Sequence, residues 1–445
     1  MEQKPDLNHN TRIGFHYFPD TLHYRETDLQ VWLPELRDLG ASWLTMWSSY
    51  ERAIPESFIH ALTAAGIQPI IQFSLPLVNP PAPHDLKPLL DSYARWGVQY
   101  IDLFDRPNSR SAWSSGTWAQ QDLVERFLDR FVPLADVVQK SGLAPVFPAL
   151  EPGGSYWDTA FLHTALESLA RRNLDGLLSQ MALSAYAWTG ERSLNWGAGG
   201  PERWPGARPY FTPTNEEDHR GFRIFDWYQS IARSALGHTC PMILFGVGSA
   251  LDQAISQPPS LNPLIHTQTN LTIGQLLAGE EADDPANPEK CLEPVPPEVI
   301  AANFWLLAAA PGSPSLSQAW FQPEGNTLTV VGAFKQWIAN REKKQAKTIK
   351  LNDLKVHPIA HYVLLPVYEW GVADWHLDII RPFMKKHQPT VGYSLEEAAY
   401  AAHVTVIGNH HSFPEESLEA LRQAGCQVER ISGDGTSIAT QLAER

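Results

Sequence analysis

Cysteine is scarce in this chain, and its scarcity excludes two kinds of site. Only 3 cysteines occur among 445 residues, Cys240, Cys291 and Cys426, and they are too scattered for a disulfide framework or a zinc site. Long apolar runs are also missing, because no stretch of about 18 apolar residues exists that would span a membrane. The glycine turn at 433–435 lies in no GxGxxG or Walker pattern, and no serine or cysteine lies in a nucleophile elbow. The sequence therefore predicts no metal and no other cofactor.

Positive charge is also in short supply. The chain has 34 Lys and Arg against 49 Asp and Glu, which gives a formal net charge of −15. A nucleic-acid backbone or an anionic membrane surface is therefore not expected as a partner. The first ten residues, MEQKPDLNHN, lack the apolar segment of a secretory signal. We therefore expect a cytoplasmic location, or a secreted or cell-surface one if the N-terminus is truncated.

Aromatic residues are abundant by contrast. The chain has 16 tryptophans, which fits sugar binding because indole rings stack on the C–H faces of pyranose rings. Packing in the core is the competing explanation for any single tryptophan. A hydrophobic content of 43% and a charged content of 19% are typical of a globular protein, and the length allows two or three domains.

The order of apolar and polar residues predicts eight alternations of strand and helix in residues 1–345. Predicted strands cover 12–18, 42–47, 68–73, 98–104, 144–150, 177–186, 241–247 and 316–321. Predicted helices cover 28–39, 54–65, 85–96, 120–140, 157–172, 219–236, 297–310 and 328–340. This α/β pattern indicates a closed (β/α)8 TIM barrel. Long loops at 108–119, 187–218 and 248–296 follow strands and are expected to build a cleft.

A second domain is expected after the barrel. Residues 341–350, REKKQAKTIK, form a basic solvated run, and we assign residues 346–358 to a linker. Short apolar runs at 361–365, 390–393, 404–408 and 428–431 then alternate with helical patterns. They predict a small Rossmann-like α/β domain over residues 359–445.

An apolar strand that ends in charged residues occupies residues 97–108, GVQYIDLFDRPN. It resembles the fourth strand of the large clan of retaining glycoside hydrolases built on (β/α)8 barrels, where the strand ends in Asn-Glu and the glutamate is the acid/base. On that pattern Asp105 takes the asparagine place and Arg106 the glutamate place. Strand seven resembles the clan's nucleophile strand, and Leu244 takes the nucleophile's place. The resemblance implies a barrel that lacks the acid/base and also lacks the nucleophile, since arginine keeps its protons and leucine has no lone pair.

Other interpretations of these positions stay open. Asp105 and Glu151 are the candidate catalytic carboxylates of an active glycoside hydrolase with relocated residues. Alternatively, Asp105 and Arg106 form ion pairs at the barrel rim, and Glu151 binds a hydroxyl group or caps a helix. A misalignment of strands four and seven by one or two residues is a further alternative.

The favoured interpretation is a carbohydrate-binding protein without standard hydrolysis. The resemblance implies that Asn108, Tyr186 and Trp320 keep positions that contact sugar in the clan, with Trp320 as a floor at the end of strand eight. Arg106 favours acidic sugars, because a guanidinium pairs with a carboxylate in bidentate fashion. The predicted substrate-binding residues are Trp47, Arg106, Asn108, Glu151, Trp157, Tyr186, Trp188 and Trp320.

The C-terminal tail, CQVERISGDGTSIATQLAER, resembles the end of the cell-wall-binding repeat of bacterial surface-layer proteins. The matching residues are Val428, Arg430, Ile431, Gly433 and Thr440, while the repeat's Arg-Tyr pair is missing. The resemblance implies a cell-wall polymer as a partner of the C-terminal domain. The chain would then be a surface or scaffold protein held to other components by that domain.

Overall fold

The structure is a computed structural model that describes residues 10–190, 192–208, 210–249, 262–285, 287–353, 357–368 and 371–443. The chain divides into two compact units, Met1–Ala339 and Asn340–Arg445. Among the described residues, no helix has the length and apolar character needed to cross a membrane. Within the same ranges, no group of three or more His, Cys, Asp or Glu side chains is arranged to hold a metal ion.

Eight parallel strands form the centre of the first unit. They are β1 Ile13–His16, β2 Trp43–Trp47, β3 Gln68–Gln72, β4 Tyr100–Asp102, β5 Ala144–Val146, β6 Leu183–Trp188, β7 Met242–Gly248 and β10 Val299–Phe304. Two further strands, β8 Asp283–Asp284 and β9 Asn287–Cys291, form an antiparallel pair between β7 and β10 in the sequence. The strands pair in the order β5-β4-β3-β2-β1-β10-β7-β6. A parallel bridge between Val146 and Ala182 joins β5 to the start of β6 and closes the ring. The predicted (β/α)8 barrel is therefore confirmed.

Helices surround these strands. They are α1 Glu26–Asp38, α2 Glu56–Ala64, α3 Pro83–Arg95, α4 Ser115–Trp118, α5 Leu123–Lys140, α6 Asp158–Arg171, α7 Asp175–Gln180, α8 Gly200–Arg203, α9 Ile224–Leu236, α10 Pro263–Leu277 and α11 Thr329–Asp353. Apolar residues of the helices and of the outward strand faces form one large buried core between the two layers. Burial of both strand faces explains why most strands are continuous apolar runs in the sequence.

Side chains inside the barrel change in polarity from bottom to top. Successive strand residues point to opposite faces, so Trp43 and Thr45 of β2, and Ile70 and Gln72 of β3, both face inward. The lower residues pack into an apolar cluster with Val146, Ala182, Ile243 and Ala301. The upper positions, towards the C-terminal ends of the strands, are buried polar side chains: His16, Thr45, Gln72 and Asp102.

The eighth strand and seventh helix were assigned wrongly from sequence. Residues 299–304, VIAANF, were expected to be part of a helix but form β10, because a strand buried on both faces has no alternating pattern that distinguishes it from a buried helix. The seventh helix is α10, inside the predicted loop 248–296. It buries polar residues such as His266 and Asn270, which weakened its apolar period. Residues 250–261 of that loop lie outside the described residues.

Two smaller corrections concern strand ends. The segment 316–321 was predicted as strand eight, but Leu316–Gln318 is a 3-10 turn and Phe321 makes only isolated bridges. Residues Asp175–Gln180 form α7, so strand six begins at Leu183 rather than at residue 177.

The second unit contains a four-stranded parallel sheet in the order β14-β11-β15-β16. Its strands are β11 Ile359–Leu364, β14 Thr390–Gly392, β15 Ala401–Ile407 and β16 Gln427–Ile431, with a small antiparallel pair of β12 Val367–Tyr368 and β13 Gly371–Val372. Two separate apolar clusters form between this sheet and the helices that pack against it. The helices of this unit are α12 Asp374–His387, α13 Leu395–Ala398, α14 Glu415–Gln423 and α15 Gly435–Ala443. This confirms the small α/β domain. Helix α11 runs through the basic segment 341–350, and the linker at 346–358 and the cell-wall role stay predictions.

Candidate functional site

Four side chains from three strand ends meet at the C-terminal mouth of the barrel. Asp105 and Arg106 follow β4, Glu151 follows β5, and Tyr186 lies on β6. Arg106 Nε is 3.2 Å from Glu151 Oε2 and 3.7 Å from Asp105 Oδ1. Its guanidinium carbon lies 4.5 Å from the centroid of the Tyr186 ring. We call these four residues the Arg106 cluster.

Arg106 is held in place by its backbone as well as by charge. Its φ of 45° lies in the left-handed region, which few residues other than glycine adopt, and its N–H donates to the carbonyl of Ala149 at 3.0 Å. Burial lowers the pKa of the guanidinium, but the neighbouring Tyr186, Asp105 and Glu151 outweigh it and hold the pKa above its usual value. Among the residues described, the Nε atom has no hydrogen-bond partner of acceptable geometry, so its contacts with the two carboxylates are electrostatic.

Asp105 and Tyr186 are bonded to each other inside the cluster. The Tyr186 hydroxyl donates to Asp105 Oδ1 at 2.6 Å. Burial raises the pKa of the Asp105 carboxyl, and the charge of Arg106 and the bond from Tyr186 only partly oppose the rise. Burial and the nearby Asp105 charge also raise the pKa of Tyr186 well above its usual value, so the phenol remains protonated and serves as the donor.

A second, fully buried carboxyl lies below the cluster at the end of β4. Asp102 Oδ2 accepts a hydrogen bond from Gln72 Nε2 at 2.8 Å, while Asp102 Oδ1 and Gln72 Oε1 have no partner in the part of the chain that the structure describes. Burial, followed by the charge of Asp105, raises the pKa of Asp102 well above its usual value, against the bond from Gln72. Burial thus disfavours the carboxylate form of this side chain relative to an exposed aspartate.

A buried histidine completes this polar layer. His16 ends β1 between the rings of Phe245 and Trp305, at centroid distances of 5.6 Å and 4.9 Å. Burial lowers the pKa of His16 to about 3, so the imidazole is neutral. Neither of its ring nitrogens has a hydrogen-bond partner among the described residues. Trp305 was not predicted as a site residue, because the segment before it was assigned to a helix.

The loop after β5 is fixed by two buried polar residues. Asn108 donates from Nδ2 to the carbonyls of Glu151 and Tyr156, both at 2.9 Å, and accepts from the Glu151 N–H at 2.8 Å. Asp158 accepts from His219 Nε2 and from the Gly153 N–H, both at 2.9 Å. Asn108 is fully buried, so it positions the loop and is not available for the sugar contact that the resemblance implied.

Trp157, at the end of the same loop, forms the exposed aromatic surface of the site. Its ring stacks on Tyr210 with centroids 4.4 Å apart, and the two side chains are 42% and 66% exposed. Asp218 supports the long loop that carries Tyr210, because it accepts hydrogen bonds from Arg192, Trp196 and Thr212. The pair therefore offers a flat aromatic surface to solvent on a braced loop.

The other predicted tryptophans differ in position. Trp47 ends β2 and Trp188 ends β6, and both are partly buried at the mouth. Trp320 does not form a cleft floor: it is 1% exposed and packs between Phe15, Phe304 and Phe334 in the outer core. The expectation failed because residue 320 does not end the eighth strand.

Leu244 is also not where the alignment with the glycosidase clan placed it. Ile243 and Phe245 belong to the cluster inside the barrel, whereas Leu244 belongs to the outer core between strands and helices. A residue facing the helices cannot stand at a nucleophile's place. Its neighbour Phe245 faces the inside of the barrel, and it too has no ionisable group.

The carboxylates of Asp105 and Glu151 are close enough to face one sugar. Because both lie near the same Arg106 nitrogen, their oxygens are at most about 7 Å apart. Retaining glycosidases have about 5–5.5 Å between their carboxyl groups and inverting ones about 6.5–9.5 Å. The separation alone is thus compatible with catalysis, but the guanidinium contacts both groups.

Comparison with known protein families and with curated proteins finds no match. Among solved structures, the chain is similar to a GH39 β-xylosidase from Caulobacter crescentus, with a TM-score of 0.44, 12% identity, and 74% of this chain and 71% of that chain covered. It is also similar to a GH128 endo-β-1,3-glucanase from Amycolatopsis mediterranei in complex with laminarihexaose, with a TM-score of 0.40, 13% identity, and coverage of 73% and 99%. An L-ribulose 3-epimerase matches with a TM-score of 0.37, 11% identity, and coverage of 76% and 97%. Likenesses this distant do not indicate what this chain does.

Proposed function

We propose that this protein binds a glycan at the barrel mouth without cleaving it by the standard retaining mechanism. The observation that carries the proposal is the position of Arg106, whose charged side chain contacts both Asp105 and Glu151. In a retaining site, the sugar's anomeric carbon must lie between an acid and a nucleophile. Here a guanidinium that stays protonated lies against both carboxylates instead.

The surrounding surface suits a sugar. Trp157 and Tyr210 supply exposed ring faces, and the half-exposed Arg106 and Glu151 supply a donor and an acceptor for hydroxyl groups. Apolar ring faces with a few fixed polar groups are what a pyranose requires, because its C–H faces are apolar and its edge carries hydroxyls. These features support a neutral or weakly charged glycan at this part of the mouth.

The arrangement also argues against Arg106 as the origin of a preference for acidic sugars. Its positive charge is already shared by Asp105 and Glu151. A uronic acid carboxylate that approached Arg106 would also approach these two carboxylates, and the repulsion would offset the attraction. The expected pairing of Arg106 with an acidic sugar is therefore not part of the proposal.

The test combines binding with a hydrolysis assay. We expect isothermal titration of an oligosaccharide panel to find ligands that bind, and reducing-end assays on the same ligands to show no cleavage. Trp157→Ala should weaken binding about tenfold, or about 1.4 kcal/mol, because the stacking surface is lost. Trp375→Ala in the second unit is the matched control, since Trp375 is 44% exposed and should leave affinity unchanged. Absence of binding to every glycan, or equal affinities of both variants, would contradict the proposal.

An active glycoside hydrolase is the second candidate, and the closeness of Asp105 and Glu151 favours it. Catalysis would require Arg106 to move away from the two carboxylates when substrate binds. Cleavage of any panel member by the wild-type protein should then fall at least about 100-fold in Glu151→Gln, the typical effect of removing a general acid or base. Ser155→Ala, in the same loop, is the control. Full activity in Glu151→Gln would exclude this assignment of Glu151.

A further inference from the structure

A second concavity lies at the mouth, on the side of β1 and β2. It has a volume of about 380 Å³ and is formed by the loops that follow these two strands. The Tyr24 hydroxyl, in its wall, donates to the carbonyl of Trp47 at the end of β2 at 2.5 Å. The concavity therefore lies at the same C-terminal end of the barrel strands as the Arg106 cluster. We call it the arginine pocket, after Arg25 and Arg52 in its lining.

The charge of the arginine pocket is not compensated. Among the residues that the structure describes, neither Arg25 nor Arg52 forms an ion pair, and the only hydrogen bond from the Arg52 side chain goes to the Thr21 carbonyl at 3.5 Å. The pocket is lined by Thr21, Leu22, Tyr24, Arg25, Ser48, Ser49, Arg52, Ala53, Ile54 and Pro55, with no carboxylate among them. Two unneutralised guanidinium groups in one concavity are notable in a chain whose net charge is −15.

Two helix ends also lie at the arginine pocket, but Glu26 and Asp28 in the first turn of α1 and Glu56 in that of α2 offset their positive charge. Arg25 directly precedes α1 and Pro55 directly precedes α2, and both residues line the pocket. The N-terminal end of a helix carries about half a positive charge, which favours a nearby anion. The positive charge of the pocket therefore comes from the Arg25 and Arg52 guanidinium groups, and the Thr21 hydroxyl adds a hydrogen-bonding group.

We propose that the arginine pocket is an anion site that takes the acidic substituent, a carboxylate or sulfate, of the glycan bound at the mouth. The inference rests on the proposed function for its ligand, but not for the anion site itself. Guanidinium groups bind planar carboxylates and tetrahedral oxyanions through paired N–H donors, which gives both strength and orientation. An acidic glycan would thus be recognised on the β1–β2 side, and Arg106 would not contact its charge.

The first arm of the test uses a matched pair of ligands. One is a uronic-acid oligosaccharide, and the other is the same oligosaccharide after chemical reduction of its carboxyl groups. We expect the wild-type protein to bind the acidic form about tenfold more tightly. Arg25→Gln/Arg52→Gln should abolish this ratio and leave the affinity for the reduced form unchanged. Arg95→Gln/Arg233→Gln, which removes the same charge from two exposed helical positions, should keep the ratio.

The second arm needs no glycan. Inorganic phosphate at constant ionic strength should raise the Tm of the wild-type protein and of the control variant by the same amount, and that of the Arg25/Arg52 variant by less. Equal shifts in all three proteins would overturn the anion site. If phosphate raises the Tm of the Arg25/Arg52 variant less than that of the other two proteins but no glycan binds, the anion site is supported and the proposed function fails. If glycans bind with the same acidic preference in all three proteins, the inference fails and the proposed function stands.

Discussion

Asp102 and Asp158 are both fully buried, yet their environments differ in almost every respect. Asp158 accepts hydrogen bonds from His219, from the Gly153 N–H and from the Tyr228 hydroxyl, the last at 2.8 Å. Burial raises its pKa, but these bonds together hold the pKa below the ordinary value. Asp102 accepts one side-chain hydrogen bond, from Gln72, and the backbone of Leu103 and Phe104 also lowers its pKa, while Oδ1 has no partner within the described ranges. The pKa of Asp102 is nonetheless raised, chiefly by burial.

The difference separates structural support from a candidate site. A buried carboxylate with several donors is charged and rigid, and Asp158 uses that rigidity to brace the loop that carries Glu151 and Trp157. A buried carboxyl with an unpartnered oxygen costs stability, and proteins retain such groups mainly where function requires them. Asp102 lies directly below the Arg106 cluster. A loss of stability from an unpartnered carboxyl oxygen is expected at such a position, because it is next to the candidate site.

The largest effect should come from Asp158→Ala. This substitution leaves His219 and Tyr228 buried without their partner, and we expect a loss of about 3–5 kcal/mol in the free energy of unfolding at pH 7. The folded pKa of Asp158 is depressed, so its contribution is present above about pH 3.9, the unfolded value, and is lost as the pH falls through the folded pKa. Thermal unfolding followed by near-UV circular dichroism between pH 5 and 8 should show a constant deficit. A deficit below about 1 kcal/mol would remove the contrast between the two aspartates.

Asp102→Asn should raise the free energy of unfolding at pH 7, by less than Asp158→Ala lowers it. The folded pKa of Asp102 is raised, so the wild-type protein loses stability as the pH rises from about 3.9, where the unfolded carboxyl ionises, towards the folded pKa. The amide cannot ionise, and its oxygen can still accept from Gln72. The variant should therefore match the wild type near pH 4 and exceed it by about 1 kcal/mol at pH 7. If the stability of the variant and of the wild type changed with pH in parallel, the pKa of Asp102 would not be raised in the folded protein.

Much of the architecture followed from residue patterns alone. Each of the first seven strands was found because each is an apolar run bounded by helix caps, glycine or polar turns, although the predicted start of strand six at residue 177 lies in α7. The eighth was missed because 299–304, VIAANF, has the composition of a buried helix as much as of a strand. That one error led to the choice of Trp320 as the residue after the last strand, although Trp305 follows β10.

The candidate site was predicted only in part, for reasons of orientation. Asp105, Arg106, Glu151 and Tyr186 were named from sequence, and the fold brings them together. Asn108 was assigned to the ligand, although its amide is used to hold the loop. The arginine pocket was not predicted, because Arg25 and Arg52 lie 27 positions apart in surface loops and show no motif.

The sequence by itself determined that the chain forms an α/β barrel followed by a small α/β domain, and that residues 105–108, Asp-Arg-Pro-Asn, follow the fourth strand. Local pattern suffices for these statements, because strand, helix and residue type are properties of short segments. Only the tertiary structure decided which side chains face one another. The charge balance of Arg106, the missing partner of Asp102 and the uncompensated pair in the arginine pocket all depend on distances between residues far apart in the chain.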